Sequence, residues 1–355
     1  MPMMADHLCQ AYPALSERLP KISLADLPTR TEQRSITIGS EQLPILIKHD
    51  EETSPLYGGN KVRKLEYLLQ RARERRATRV ATVGTVASNH ALATALHAAS
   101  LGLQCTCLLS HQFRTLQAAL ALKMHLKCGT EIVQFGGDRP QRVATMRKHL
   151  QGRKLWLIPM GGSTWLGVVG FVNAGLELAA QVADRAVPAP DRLYVANGTM
   201  ATAAGLALGL AAAGLGTEVQ AVRVTHRHIA HPDAMRHLMR KTVVLMRRLD
   251  NTVPVDLPDR ARIRFRDDFF GAGYAHPTPA GEAAIEFAEL QLGLKLDSTY
   301  TGKALAALLH DIQQPELAGQ CMLFWNTYNA KALPVTADRP GDTCGLPVEF
   351  MRYFD

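Results

Sequence analysis

No CxxC pair occurs in this chain, and its six cysteines, Cys9, Cys105, Cys107, Cys128, Cys321 and Cys344, are scattered, mostly in apolar runs such as Cys105 to Leu109. Without paired spacing they read as small core residues, which argues against a disulfide framework or a zinc ribbon. A charged-then-apolar leader is missing as well, since Asp6 and His7 interrupt Met1 to Leu8. No secretory signal is expected, and a cytoplasmic setting is. Internal repeats and low-complexity linkers are also absent; Pro188-Ala189-Pro190 and Pro254 to Pro258 read as surface turns. Val195 to Thr217 lacks charge over a length that could span a bilayer. It is built from Ala, Gly and Thr and contains Asn197, so a buried helix is expected there and no membrane partner.

Acidic residues are outnumbered, 32 Asp and Glu against 40 Lys and Arg, for a formal charge of +8. Arg71, Arg73, Arg75, Arg76 and Arg79 form one basic cluster, and residues 226–248 hold a second. Neither has interleaved aromatics or a nucleic-acid motif, so both read as solvated helix faces, and no nucleic-acid partner is expected. A basic field suits an anionic cofactor and the carboxylate of an amino acid. His226, His228 and His231 lack a carboxylate or cysteine in a suitable pattern, and no metal is assigned to them.

The length of 355 residues allows two or three domains or one large α/β unit. Short runs rich in β-branched and apolar residues lie at 80–83, 105–109, 131–135, 155–158, 193–196, 219–225 and 322–325. Helices are predicted between and after them, at 60–76, 89–101, 114–127, 139–151, 166–185, 201–213, 231–249, 278–292 and 302–313. This alternation predicts an α/β fold, with parallel sheets covered by helices. Ligands should then gather where strands run into helix N-termini.

Residues 58–69 read Gly-Gly-Asn-Lys-Val-Arg-Lys-Leu-Glu-Tyr-Leu-Leu. Wound as a helix at about 100° per residue with Val62 at zero, Leu69, Leu65 and Leu68 fall at about 340°, 300° and 240°, and Lys61 at about 260°. Arg63, Glu66 and Tyr67 are expected on the opposite, solvated side, with Lys64 at the margin. An amine facing the core in the first turn, beside a positive helix N-terminus, has a lowered pKa. It can then act as a nucleophile and hold an aldehyde as a Schiff base. A lysine at the edge of an apolar stripe can instead snorkel into water, and helical geometry alone leaves both readings open.

Gly58-Gly59-Asn60-Lys61 with Arg63-Lys64-Leu65-Glu66 is followed, in order, by Ser88-Asn89-His90, Pro159-Met160-Gly161-Gly162-Ser163, the run GVVGFVNA at 167–174, and Tyr300-Thr301-Gly302-Lys303-Ala304. These five segments resemble the D-cysteine desulfhydrase and 1-aminocyclopropane-1-carboxylate (ACC) deaminase family. That family is pyridoxal-phosphate dependent and has the tryptophan synthase β-like fold (fold type II), with twisted, parallel-rich sheets flanked by helices. The resemblance implies two domains, a large one from 1–66 plus 166–355 and a small one at 67–165, with the cofactor between them. It also implies a homodimer.

The cofactor needs an amine for its aldehyde, donors for its phosphate, a partner for its ring nitrogen and a base at the substrate α-carbon. By resemblance, Lys61 supplies the amine and moves the α-proton, while Lys64 is a phosphate ligand. Asn197-Gly198-Thr199-Met200-Ala201-Thr202, between a strand and a helix, makes an anion site from backbone N–H groups and threonine hydroxyls; on its own it is also an ordinary strand-to-helix turn. Met200 and Ala201 stand where the family is richer in glycine. Ser88 is both a plausible helix cap and, by resemblance, a group for the substrate carboxylate or for proton transfer. Asn89 is implied as partner of the cofactor's phenolic oxygen, His90 as a substrate-side residue, Tyr274 and Tyr300 as the active-site tyrosines, and Thr327 as the group facing the ring nitrogen. Tyr328 and Asn329 replace two glycines.

The implied activity is α,β-elimination from a small amino acid with a β leaving group, D-cysteine-like, giving pyruvate, ammonia and sulfide. His90 and Thr301 are the desulfhydrase pattern, where ACC deaminases carry Gln and Glu. ACC deamination, β-replacement and racemisation remain alternatives on the same fold, as does a non-catalytic binding protein. Residues after Ala330 extend beyond the family's usual end.

Overall fold

Ten strands form among the residues that the computed structural model describes, 6–152, 154–335 and 343–354. They are β1 (Thr31–Ile38), β2 (Glu41–His49), β3 (Arg79–Thr85), β4 (Gln104–Ser110), β5 (Glu131–Gln134), β6 (Leu155–Ile158), β7 (Arg192–Asn197), β8 (Glu218–Arg223), β9 (Ile263–Arg266) and β10 (Met322–Asn326). The helices are α1 (His7–Ala11), α2 (Leu15–Arg18), α3 (Lys61–Glu74), α4 (Asn89–Ser100), α5 (Leu116–Lys127) and α6 (Arg139–His149). After them come α7 (Trp165–Ala183), α8 (Ala201–Ala212), α9 (Pro232–Leu249), α10 (Leu257–Arg260), α11 (Pro279–Phe287) and α12 (Thr301–Asp311). Two compact units result, one from the residues up to Tyr67 with Ser163–Ala330, the other from Leu68–Gly162 with the tail from Lys331.

The larger unit carries a six-stranded sheet in the order β1-β2-β10-β7-β8-β9. Only the β1–β2 hairpin pairs antiparallel, with Ile36 opposite Leu43; the other pairs are parallel. Parallel pairing brings the strand C-termini to one edge, where Asn326 lies beside His49 and Asn197 beside Arg223. The loops that leave this edge carry the candidate chemistry. One face is covered by α11 and α12 around Leu305, Leu308, Tyr194 and Phe324. Buried α7 packs on α8, and a Cβ on Gly205 or Gly209 would come within 2.6 or 2.3 Å of a carbonyl oxygen of α7. By length and composition α7 could cross a membrane, yet most of it is buried inside the protein. The charge-free stretch from Val195 breaks into the end of β7 and the whole of α8.

In the smaller unit, four parallel strands run in the order β5-β4-β3-β6, with α4 and α5 packed on them. The described residues from Lys331 on cluster here, whereas the resemblance implied that they belong to the large domain. Side-chain anchors explain the difference. Tyr353 Oη donates to the Gln112 carbonyl at 3.1 Å and accepts from the Gln112 N–H at 3.0 Å, while Phe350 is buried beside His111.

Beneath the larger sheet's edge lies a closed charge network. Arg63 donates to Asp50 Oδ1 at 2.8 Å and to Glu177 Oε2 at 2.8 Å, and Lys48 Nζ reaches Glu177 Oε1 at 2.7 Å. All four side chains are at most 1% exposed. Burial would raise the Glu177 carboxyl pKa, but Arg63 and Lys48 override it and hold that pKa far below the ordinary range. Two cations and two carboxylates balance, so removing one charge leaves a buried ion uncompensated. Glu177→Gln should therefore cost about 3–5 kcal/mol, read as a fall in the urea unfolding midpoint.

Candidate active site

The residues before α3 are shaped so that Lys61 opens the helix close to the end of β10. A Cβ on Gly58 would sit 2.0 Å from the Glu51 carbonyl oxygen, and one on Gly59, at φ +93°, 2.7 Å from that of Thr327. Only glycine permits this approach. Gly59 N–H donates to the Asp50 carbonyl at 2.9 Å and Asn60 N–H to that of Thr327 at 3.2 Å. Asn60 Nδ2 reaches Thr202 Oγ1 at 3.0 Å, and Asn329 Oδ1 accepts from Gly58 N–H at 2.9 Å. The segment that leads into Lys61 is thus tied to the start of α8 and to the end of β10.

Lys61 Nζ lies 5.9 Å from the centre of the Tyr300 ring. Burial brings its pKa down to about 8, with Asp297 pulling the other way. Lys64, 1% exposed, has its Nζ over the Phe171 ring; burial and then Lys61 lower its pKa far further. The solvated face expected for α3 does not exist, because Arg63, Glu66 and Tyr67 are each at most 2% exposed. Arg63 is buried in the charge network, and Glu66 accepts the N–H groups of Leu24 and Ala25 and pairs with Lys21 at 3.4 Å. Charges with partners elsewhere in the chain can face inward, and one helix's periodicity does not reveal those partners.

At the end of β7, Asn197 is 1% exposed, and neither its amide oxygen nor its amide nitrogen finds a hydrogen-bond partner among the described residues. Next to it, Gly198 carbonyl accepts from Thr225 Oγ1 at 2.7 Å, and Ser163 Oγ donates to Thr199 Oγ1 at 2.6 Å. A Cβ on Gly198 would come 3.4 Å from Cε1 of Tyr300. Met200 precedes α8 in the left-handed region, φ +72°, where a side chain is strained. Tyr300 and Tyr274 join hydroxyl to hydroxyl at 2.7 Å, and burial, then Tyr274, pushes the Tyr300 pKa well above its ordinary value. Lys61, residues 197–202, Tyr274, Tyr300 and Thr327 are therefore linked around one location in the larger unit.

Ser88, Asn89 and His90 belong to the smaller unit, at the passage from β3 into α4. Ser88 caps α4, accepting the Ala91 N–H at 3.2 Å, and Gly84 leaves it room, since a Cβ there would lie 2.7 Å from its Oγ. Asn89 opens α4, and His90 is buried. His231 caps α9 through Nδ1, while the His226 and His228 rings stack at 5.6 Å. A further group with ligand-like spacing, His49, Glu51 and Glu52, has Arg30 3.1 Å from His49 Nδ1 and 3.0 Å from Glu52 Oε1, so a cation is already there.

The sequence reading passed over Asp297, Asn60 and Ser163 as site residues. Asp297 had a signal, a carboxylate three residues ahead of a tyrosine that opens a helix, which is a capping pattern.

These groups meet the demands of pyridoxal phosphate. An amine of lowered pKa opens α3, the N-terminus of α8 presents N–H groups without a side-chain cap beside the Thr199 and Thr202 hydroxyls, and the Asn197 amide awaits a polar partner. The sequence pattern described as "Pyridoxal-phosphate dependent enzyme" matches residues 24–327. The chain belongs to that family. A D-cysteine desulfhydrase of Klebsiella pneumoniae is 34% identical over 328 residues, spanning 89% of this chain and 96% of that protein. Another, from Serratia proteamaculans, is 33% identical over 325 residues with the same coverage. The crystal structure of an ACC deaminase homologue superposes with a TM-score of 0.73 at 26% identity, covering 92% of this chain and 95% of that one. A fungal L-serine ammonia-lyase from Rhizomucor miehei, at 17% identity and a TM-score of 0.57, covers 86% of this chain and 94% of that one, and shares the fold. The architecture is the family's tryptophan synthase β-like fold, type II, as the sequence resemblance implied.

Strain at Met200 gives a direct check. Glycine relieves the left-handed backbone whereas alanine keeps it, so Met200→Gly should be more stable than Met200→Ala by about 1 kcal/mol, measured as a higher melting temperature.

Proposed function

We propose that this protein is a pyridoxal-phosphate-dependent lyase that catalyses α,β-elimination on a small amino acid with a β leaving group. The substrate is D-cysteine or a close analogue, and the products are pyruvate, ammonia and sulfide. One observation carries the reading: an amine whose pKa burial lowers to about 8, beside the ring of Tyr300, whose hydroxyl is bonded to that of Tyr274. When bound, pyridoxal phosphate supplies an aldehyde for that amine and an electron sink that weakens the substrate's α C–H bond.

Lys61 would hold the cofactor through Nζ and would take the substrate's α-proton on the same atom. The Asn197–Thr202 segment and Lys64 bind the phosphate, and Thr327 serves the ring nitrogen as a neutral hydroxyl. The Tyr300–Tyr274 pair orients the substrate and delivers a proton to the departing group. Ser88, Asn89 and His90 enter by family resemblance, as groups for the substrate carboxylate, the cofactor's phenolic oxygen and the substrate side chain. The desulfhydrase relatives support D-cysteine over ACC, in agreement with His90 and Thr301. A cytoplasmic homodimer completes the proposal.

Purified protein should show a visible absorbance band that borohydride fixes covalently at residue 61. Uptake of the cofactor by stripped protein should quicken as the pH rises through about 8 and then level off, because the neutral amine is the reactive form. Lys61→Ala should reduce turnover about 10³-fold, and wild-type turnover in this variant refutes the reading. A panel of D- and L-cysteine, β-chloroalanine and ACC, assayed for pyruvate, sulfide and α-proton exchange in D₂O, decides among elimination, deamination and racemisation.

A further inference from the structure

Asp297 lies ahead of α12 and makes the contacts that Tyr300, at the helix's own N-cap position, does not make. Its Oδ1 accepts the N–H groups of Thr299 at 2.9 Å and Tyr300 at 2.6 Å. Oδ2 accepts from Thr301 Oγ1 at 3.3 Å, and the same hydroxyl accepts the Asp297 N–H at 2.8 Å. The Asp297 carbonyl receives the Gly302 N–H at 2.9 Å. Five bonds therefore fix a six-residue segment, 297–302, around one carboxyl-bearing residue. Tyr300 is held with its hydroxyl on Tyr274 and its ring beside the Lys61 amine.

The carboxylate's field acts on groups from every side of this location. It raises the Lys61 and Lys303 pKa values, opposing their burial, and adds to the upward shift that burial gives Tyr57, Tyr300 and Tyr328. Lys64 is the like charge nearby, its own pKa lowered further by Lys61. Lys303, the other amine on which Asp297 acts, donates to the Phe270 carbonyl at 2.7 Å.

We propose that Asp297 is a positioning residue of this site, fixing the backbone that carries Tyr300 and serving as the counter-charge that sets how readily Lys61 gives up its proton. The inference rests on the reading of Lys61 and Tyr300 as parts of one active site. Two opposed effects keep the amine near the pH where it can both hold and release a proton: burial favours the neutral form, and the carboxylate favours the charged one. Burial itself pushes the Asp297 carboxyl up to about 6, against the pull of its N–H donors. Above that pH the counter-charge is present, and below it the charge fades.

The test follows Lys61 in the full-length protein stripped of cofactor, by trace acetic anhydride labelling and mass spectrometry across pH. Asp297→Asn keeps an acceptor for the two N–H groups and removes the charge, so the Lys61 midpoint should fall by roughly one unit. Mere loosening of the fold would admit water and move that midpoint up, toward an ordinary lysine. An unchanged or raised midpoint overturns the proposal. If the variant does not fold, the parent protein decides. Its Lys61 reactivity should depart from a single-amine curve between about pH 5 and 7 as the carboxylate titrates, and a curve fitted by one amine alone overturns it. Labelling is independent of turnover, so a failure of the substrate panel and a failure of this proposal are told apart.

Discussion

The structure depends on keeping one lysine nitrogen poorly hydrated without letting its helix drift. Lys61 is in the first turn of α3, and the residues after it are buried on every side. An all-round buried helix start is stable only if its polar groups find partners. Arg63 finds Asp50 and Glu177, and Glu66 finds Lys21 with the N–H groups of Leu24 and Ala25. Because these side chains find partners of their own, the helix can open with an amine that lies beside the Tyr300 ring and feels the Asp297 carboxylate. The network thus anchors the helix that Lys61 opens.

Parallel strand order does the gathering. Residues 197–202 follow β7, Thr327 to Asn329 follow β10, and Thr225 follows β8 closely, so loops far apart in the chain emerge at one edge. Cross-links then set their spacing: Asn60 to Thr202 and Thr327, Thr225 to Gly198, and Ser163 to Thr199. Each ties a loop that carries a candidate cofactor contact to a neighbouring segment. A shift of one strand's register would therefore disturb several contacts at once.

Much of this was legible in the sequence. Apart from α11, which gives way to a π-helical turn at Ala288–Leu292, the long helices start and stop within about two residues of their expected bounds, since apolar periodicity and caps such as Ser88 and Thr164 are local signals. The hairpin β1–β2 was not seen: Thr31–Ile38 carries Glu32, Gln33 and Arg34, and β2 contains Pro44, so neither resembles a buried strand. β9, Ile-Arg-Phe-Arg, is short and half charged. The solvated face assigned to α3 failed for a different reason, because Glu177 is 114 residues from Arg63 and periodicity cannot report a partner so remote. The tail's attachment through Tyr353 to Gln112, 241 residues apart, is equally invisible locally. Asp297 lay in a capping pattern that looks the same whether it ends a helix or steers a tyrosine.

The departures from the family's glycines also have a physical logic. Asn329, which the resemblance sets in place of a glycine, takes up the Gly58 N–H on its Oδ1, so its side chain becomes a strut under the loop before Lys61. The backbone carbonyl of Tyr328, itself 7% exposed, lies against Gly59, whose missing Cβ makes that approach possible. Bulk added on β10's exit is thus matched by glycines kept at 58 and 59. Met200 has no such compensation: it holds a left-handed backbone that glycine would adopt freely. Strain that persists at a ligand-facing turn is sustained only when the surroundings over-determine it. Here they do, because Ala204 N–H bonds the Met200 carbonyl and Thr225 clamps Gly198. A turn whose own contacts are already made loses less entropy on binding an anion than one that its ligand must order.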